Sequence, residues 1–151
     1  HAAEMTTNGI DDAAMVTPVL KKIKGEVKIF GGDGAYDKTK VYDTLEKEKI
    51  KPIIPPRKNA RINKHGNSNG RTKPRDRAIR YIRRHGRKKW KKTHHYHKRS
   101  LAETTMFRYK TILGDKLQSR TFERQCTEAL LSCKILNKMT LCGMPESVKV
   151  K

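Results

Sequence analysis

The chain has 151 residues, with 36 Lys and Arg against 15 Asp and Glu, a formal net charge of +21. That length supplies one hydrophobic core rather than two, and so one-sided a charge calls for a polyanionic partner. A mean hydropathy of −0.87, with no apolar run near the roughly 18 residues a membrane span needs, excludes a transmembrane protein.

Asp11 and Asp12 precede Ala13, Met15, Val16, Val19, Leu20 and Ile23, with Gly25 at the stop position. That pattern predicts a helix over 12–24 capped by the two acids. Val27 and Ile29 then alternate with Lys28 up to Phe30 and meet Gly31 and Gly32, which predicts a strand over 26–30 with Asp33 at its end. Val41, Tyr42 and Leu45 mark a second helix running to about Lys49, and Ile53 and Ile54 before Pro55 and Pro56 mark another short strand. The order helix, strand, helix, strand predicts an α/β domain.

From Arg57 to Arg99 there are 18 Lys and Arg against the single acid Asp76, a local charge of +17 that leaves +4 for the rest of the chain. A solvated surface intersperses both signs, so a block this one-sided repels itself unless a partner neutralises it. The bland reading is a disordered basic linker; contact with nucleic acid is the expectation preferred here. Residues 57–93 are read as a basic, partly mobile insertion that contacts DNA. Within it, Asn59 to Lys73 has no apolar period and predicts a mobile loop. Pro74 suits a first helical turn, and Ile79, Tyr81 and Ile82 anchor a short helix that ends near Gly86. Arg83, Arg84, Arg87, Lys88 and Lys89 are expected to meet phosphates, with strong salt dependence and little reading of sequence. Trp90, among lysines, either stacks on a base or packs under the loop. His94, His95 and His97 lack partners at metal-ligand spacing and are expected to extend the basic surface.

Two longer helices follow. In the last, Phe122, Cys126, Ala129, Leu130, Cys133 and Leu136 recur at helical spacing and close with Gly143 and Pro145, predicting an amphipathic core helix. Cys126 and Cys133 belong to its apolar stripe and are expected to pack rather than ligate. With Cys142 they make an odd count without a C-x-x-C pair, against both a disulfide framework and a zinc ribbon. Gly32-x-Gly34 lacks the third glycine of a dinucleotide loop, Asp37 standing there instead.

The helix predicted over 99–113 carries the chemistry. At about 100° per residue, with Tyr96 set to zero, Arg99 falls near about −60°, Glu103 near about −20° and Lys110 near about −40°. Leu101, Ala102, Thr105, Tyr109, Ile112 and Leu113 cover the opposite side, the face expected to meet a core. An isolated Glu103 could simply pair with Arg99 or Lys110 on a wet surface. Its coincidence with the strand-end acid Asp33 points further, because hard cations such as Mg²⁺ take carboxylate oxygens and leave places for phosphate. Two such ions about 3.5–4 Å apart can activate the attacking oxygen and stabilise the leaving one in phosphoryl transfer.

Tyr96, Arg99, Glu103 and Lys110 stand as Y-x2-R-x3-E-x6-K. This signature resembles that of bacterial insertion-sequence transposases of the DDE type, and Gly32-Asp33-Gly34-Ala35-Tyr36-Asp37 is similar to the family's segment around its second catalytic aspartate. Ile53 to Arg57 and Phe122 to Met144 also resemble the family. The resemblance implies an RNase H-like fold, here incomplete at its N-terminus and carrying a basic insertion before the last two helices. Residues 1–151 would be the C-terminal part of a catalytic domain. It further implies that Asp33 and Glu103 are the second and third metal-binding acids, and that Arg99 and Lys110 contact phosphates at the transposon end while Tyr96 helps hold the DNA. The implied reaction is hydrolysis of a phosphodiester at the element's end and attack of the freed 3′ hydroxyl on target DNA, with two Mg²⁺ or Mn²⁺ ions in the complete protein. The implied partners are double-stranded DNA and a second copy of the chain, in the bacterial cytoplasm near the nucleoid.

The family's first aspartate has no counterpart here, and the chain opens on His1 rather than Met. The expectation is therefore a truncated portion that binds DNA but does not turn over. A non-catalytic basic nucleic-acid-binding protein is the alternative, and it leaves the placement of Asp33 and Glu103 accidental. A different RNase H-like nuclease would share the acids without requiring Tyr96, Arg99 and Lys110.

Overall fold

The computed structural model describes residues 2–7, 9–63 and 73–143. The chain folds as two compact units, Ile10–Ala102 and a second made of His1–Gly9 with Glu103–Lys151. In the first unit Asp11 caps a 3-10 turn, Asp12–Met15, by accepting the amide of Ala13 at 3.1 Å. Helix α1 (Val16–Lys22) follows directly. The helix expected over 12–24 is thus a 3-10 turn plus an α-helix. Pro18 is the physical reason: it has no amide hydrogen to close a bond back onto Ala14, but is tolerated in a first turn.

Strand β1 (Ile29–Gly31), helix α2 (Thr39–Lys47) and strand β2 (Lys51–Ile53) come next. The strands pair in parallel, Ile29 opposite Lys51, Phe30 opposite Pro52 and Gly31 opposite Ile53. This register leaves residues 26–28 outside the strand predicted to begin at Glu26. The amide of Gly32 extends the pairing by donating to the carbonyl of Ile53 at 3.2 Å. Parallel strands need a crossover, and α2 supplies it. Val41, Tyr42 and Leu45 of α2 are buried, as their spacing predicts, with Ala13, Val16, Ile50 and Ile54 around them.

After β2 the chain passes through buried Pro55 and Pro56. The loop expected from Asn59 to Lys73 falls largely on residues 64–72, outside the described residues. Helix α3 (Pro74–His85) starts at the proline that predicts it and buries Ile79. Gly86, at φ 82°, separates it from helix α4 (Arg87–Thr93), which the sequence pattern did not anticipate. Helix α5 (Ser100–Leu113) and helix α6 (Phe122–Leu141) are the last helices among the described residues. In the second unit, Glu128 of α6 accepts the amides of Gln118 and Ser119 at 2.8 and 2.9 Å, and these bonds hold its carboxyl below the usual range.

The apolar faces assigned to these two helices correct the sequence reading. No residue of α5 is buried: Leu101 and Ile112 are exposed, and Ala102, Thr105, Tyr109 and Leu113 are exposed or half-buried. On α6 Leu136 is buried, whereas Phe122 and Leu130 are exposed and Cys126 and Cys133 are half-buried. Helical periodicity reports a face able to be buried, not whether another element covers it.

One buried polar hub joins α2, the exit from β2 and α3. The side chain of Asp37 has 0% exposure and pairs with Arg75. Its Oδ1 accepts from Arg75 Nε at 2.7 Å and the Tyr42 hydroxyl at 3.2 Å. Its Oδ2 accepts from the Arg57 amide at 2.9 Å and an Arg75 terminal nitrogen at 3.4 Å. A buried carboxylate is tolerated only with its lone pairs met in this way. Burial, then the charge of Asp37 and its hydrogen bond, push the Tyr42 phenol well above its ordinary value, against the opposing charge of Arg75.

Two outcomes follow from this packing. Leu45→Ala should cost about 2–5 kcal/mol by cavity formation, read by urea unfolding through Trp90 fluorescence, whereas Leu141→Ala, at 84% exposure, should stay within about 0.5 kcal/mol. Because the raised phenol stays neutral in the folded protein while it ionises above about pH 10 in the unfolded chain, stability should fall as pH rises past about 10. Tyr42→Phe should remove that part of the alkaline loss in unfolding curves taken from pH 8 to 11.

Candidate functional site

Asp33 stands where the sequence places it, two residues past the end of β1. Gly32 is buried, and a Cβ there would lie 2.9 Å from the Tyr36 ring and 3.0 Å from Phe30. Only glycine lets the chain turn so close beneath these rings, which meet edge to face at 5.6 Å. Asp33 then caps the 3-10 turn Gly34–Tyr36, its Oδ1 accepting the Ala35 amide at 2.8 Å, and its carboxylate is exposed. The Tyr36 phenol is raised by burial first and then by the nearby charges of Asp12 and Asp33.

The turn bearing Asp33 is clamped from outside. Arg57 donates its side-chain Nε to the carbonyl of Gly34 at 3.2 Å and its backbone amide to Asp37. Arg75, the second residue of α3, grips Asp37 and also donates to the carbonyl of Arg61 at 2.9 Å. Asp37, Arg57 and Arg75 carry no role in the sequence reading. An acid closing the Gly32–Asp37 segment was a visible signal, but a partner 38 residues away was not.

Apart from Arg75 and Arg87, the Lys and Arg side chains of helices α3 and α4 are exposed. Arg77, Arg80, Arg83 and Arg84 of α3 are exposed, as are Lys88, Lys89, Lys91 and Lys92 of α4, while Ile79 and Trp90 are buried on the inner side. Arg83, Arg84, Lys88 and Lys89 are among these exposed cations. Arg87 differs: it is half-buried and donates to the carbonyl of Pro56 at 2.7 Å. Trp90, left open between stacking on a base and packing, packs. It is 2% exposed and stacks on His94 at 4.8 Å, with its indole nitrogen buried and without a hydrogen-bond partner among the described residues.

Tyr96 and Arg99 do not share an α-helix with Glu103 and Lys110, contrary to the single stripe expected from the sequence. They lie on a 3-10 turn, Tyr96–Arg99, entered through His95 at φ 52°. A 3-10 turn advances by about 120° per residue rather than about 100°, so that angular arithmetic does not apply across it. What the turn assembles is a cationic bracket around one ring: Lys91 Nζ lies 5.2 Å and Arg99 Cζ 5.8 Å from the centre of Tyr96. Both contacts fall within cation–π range. Glu103 and Lys110, exposed on α5 and seven residues apart, share one helical face.

Asp33 belongs to the first unit, and Glu103 and Lys110 belong to the second. The carboxylate oxygens of Asp33 and Glu103 suit a divalent cation in chemistry. They fall short in number, since no group of three His, Cys, Asp or Glu side chains gathers as a metal site among the described residues. Among those residues no helix is long and apolar enough to cross a membrane.

No solved structure matches the chain. The family described as "Transposase DDE domain" matches residues 1–138. That match covers the Asp33 turn, the cationic helices and the Tyr96–Lys110 segment together, and the chain belongs to the transposase DDE domain family.

Proposed function

We propose that the protein acts in DNA transposition by metal-dependent cleavage at insertion-sequence ends and transfer of the freed strand to target DNA. The observation that carries this reading is the outward cationic face of α3 and α4, in a chain whose family acts on DNA. Arg83, Arg84, Lys88 and Lys89 bind backbone phosphates, with Arg77, Arg80, Lys91 and Lys92 on the same helices. Tyr96 holds Arg99 at the DNA, and Lys110 adds a further phosphate contact. Such a surface draws DNA in and lowers the repulsion that carboxylates would exert on a phosphodiester.

Asp33 and Glu103 are the acids of the reaction. With further oxygen donors they would hold Mg²⁺ or Mn²⁺, which when bound activates the attacking oxygen and stabilises the leaving one. The hydrogen bond from the Ala35 amide to Oδ1 restrains the Asp33 carboxylate. The parallel β1–α2–β2 crossover supports an RNase H-like α/β layering, with α3 and α4 as a basic insertion before the last two helices. Two copies act together on double-stranded DNA.

Mg²⁺-dependent nicking of DNA that carries the element's ends, assayed with the complete gene product, tests this reading. Asp33→Asn and Glu103→Gln should each lower the rate by more than about 100-fold, beyond the loss typical of outer-shell partners. Nicking at the parent's rate by both variants sinks the catalytic assignment and leaves a non-catalytic nucleic-acid-binding protein. DNA affinity should also fall about 10³-fold between about 50 and about 200 mM salt, and a salt-insensitive affinity removes the phosphate-led contact.

A further inference from the structure

The turn from Gly32 to Asp37 has two fixed ends. At its start the Gly32 amide is tied to Ile53 of β2. At its end the wholly buried Asp37 carboxylate takes the Tyr42 hydroxyl of α2, the Arg57 amide and the Arg75 guanidinium of α3. Arg57 closes the clamp from the other side by reaching the Gly34 carbonyl. An ion pair this deeply buried adds little net stability over a well-packed apolar substitute; its best-attested use is to fix one arrangement among several. Here the arrangement it fixes joins the turn that carries Asp33 to the first turn of the helix that carries Arg77, Arg80, Arg83 and Arg84.

We infer that Asp37 is a positioning residue, which through Arg75 and Arg57 sets the Asp33 turn in fixed register with the cationic face of α3. The inference rests on Asp33 being an acid of the reaction, as proposed above. A phosphate backbone seated on α3 is then presented to Asp33 at one distance and angle, without Asp37 touching DNA. Displacement of a reacting group by about 1 Å can cost about 100-fold in rate, so loss of the clamp should slow turnover while leaving the exposed cations to bind.

The experiment compares Asp37→Asn, Arg75→Gln, their combination, Asp33→Asn and the destabilised control Leu45→Ala in the complete gene product. Nicking rate at saturating DNA, DNA dissociation constant and amide hydrogen exchange without metal are measured below the melting temperature. Asp37→Asn should lower the saturated rate about 10- to 100-fold, change DNA affinity by less than about threefold, and speed exchange at Ala35 and Arg57 while α2 amides stay protected. The double variant should lose no more than Asp37→Asn, because the two side chains act as a unit. Leu45→Ala should lower the melting temperature without that rate-against-affinity split. An unchanged saturated rate and unchanged Ala35 exchange in Asp37→Asn overturn the inference, as does a loss that simply tracks unfolding as in Leu45→Ala. If Asp33→Asn nicks like the parent, the reading of Asp33 has failed; exchange at Ala35 still reports whether the clamp exists.

Discussion

The buried carboxylate of Asp37 organises the larger unit. Asp37 sits where water cannot reach it, and a charge in that position is tolerated only when its oxygens are met on every side. Meeting them draws in a hydroxyl from α2, a backbone amide from the segment leaving β2 and a guanidinium from the first turn of α3. These elements could pack on the apolar core in other ways, because hydrophobic burial is non-directional. The hub removes that freedom. It also explains why Arg75 faces inward in a helix whose other arginines are exposed.

The described part of the basic block is consequently more ordered than its composition implies. Two short helices occupy it, each anchored by very few apolar side chains: Ile79 with half-buried Tyr81 and Ile82 on α3, and Trp90 on α4. Trp90 stacks on His94, His94 meets Tyr81 edge to face, and the Tyr81 hydroxyl pairs with Thr93. This ladder ties α3 to α4 with aromatic contacts, the kind that survive beside dense positive charge because cations favour ring faces. Asp76, the block's one acid, is buried and accepts the Asn63 amide at 3.0 Å. Net positive charge therefore accumulates on the outer surface, where a polyanion can meet it.

The Tyr96–Lys110 signature is two structures joined in sequence. Its first half is a 3-10 turn reached through a left-handed residue, His95. Its second half is regular α-helix. Tyr96 is thereby directed toward Trp90, at 6.2 Å between ring centres, and flanked by Lys91 and Arg99. Lys91 gains a place beside the signature that no spacing rule assigns to it. A fixed interval of residue types need not mean one helical face; it can record a bend that a uniform rotation of about 100° per residue hides.

Much was legible in the residues themselves. The helix, strand, helix, strand order up to β2, the start of α3 at Pro74, the buried face of α2, the capping role of Asp11 and the strand-end position of Asp33 all follow from local rules: spacing, proline, glycine and short polar caps. These act between neighbours in the chain, so the sequence alone determined them, together with the family signature. Pro18, which has no amide hydrogen to donate, acts by an equally local rule. Only the tertiary structure decided that Asp37 would be buried against Arg75, that Trp90 would pack rather than stand free, that Arg87 would be drawn to the Pro56 carbonyl, and that the apolar sides of α5 and α6 would stay largely exposed. Each of those outcomes depends on partners far away in sequence, and no local pattern encodes which distant donor, acceptor or apolar surface will arrive to meet a given side chain.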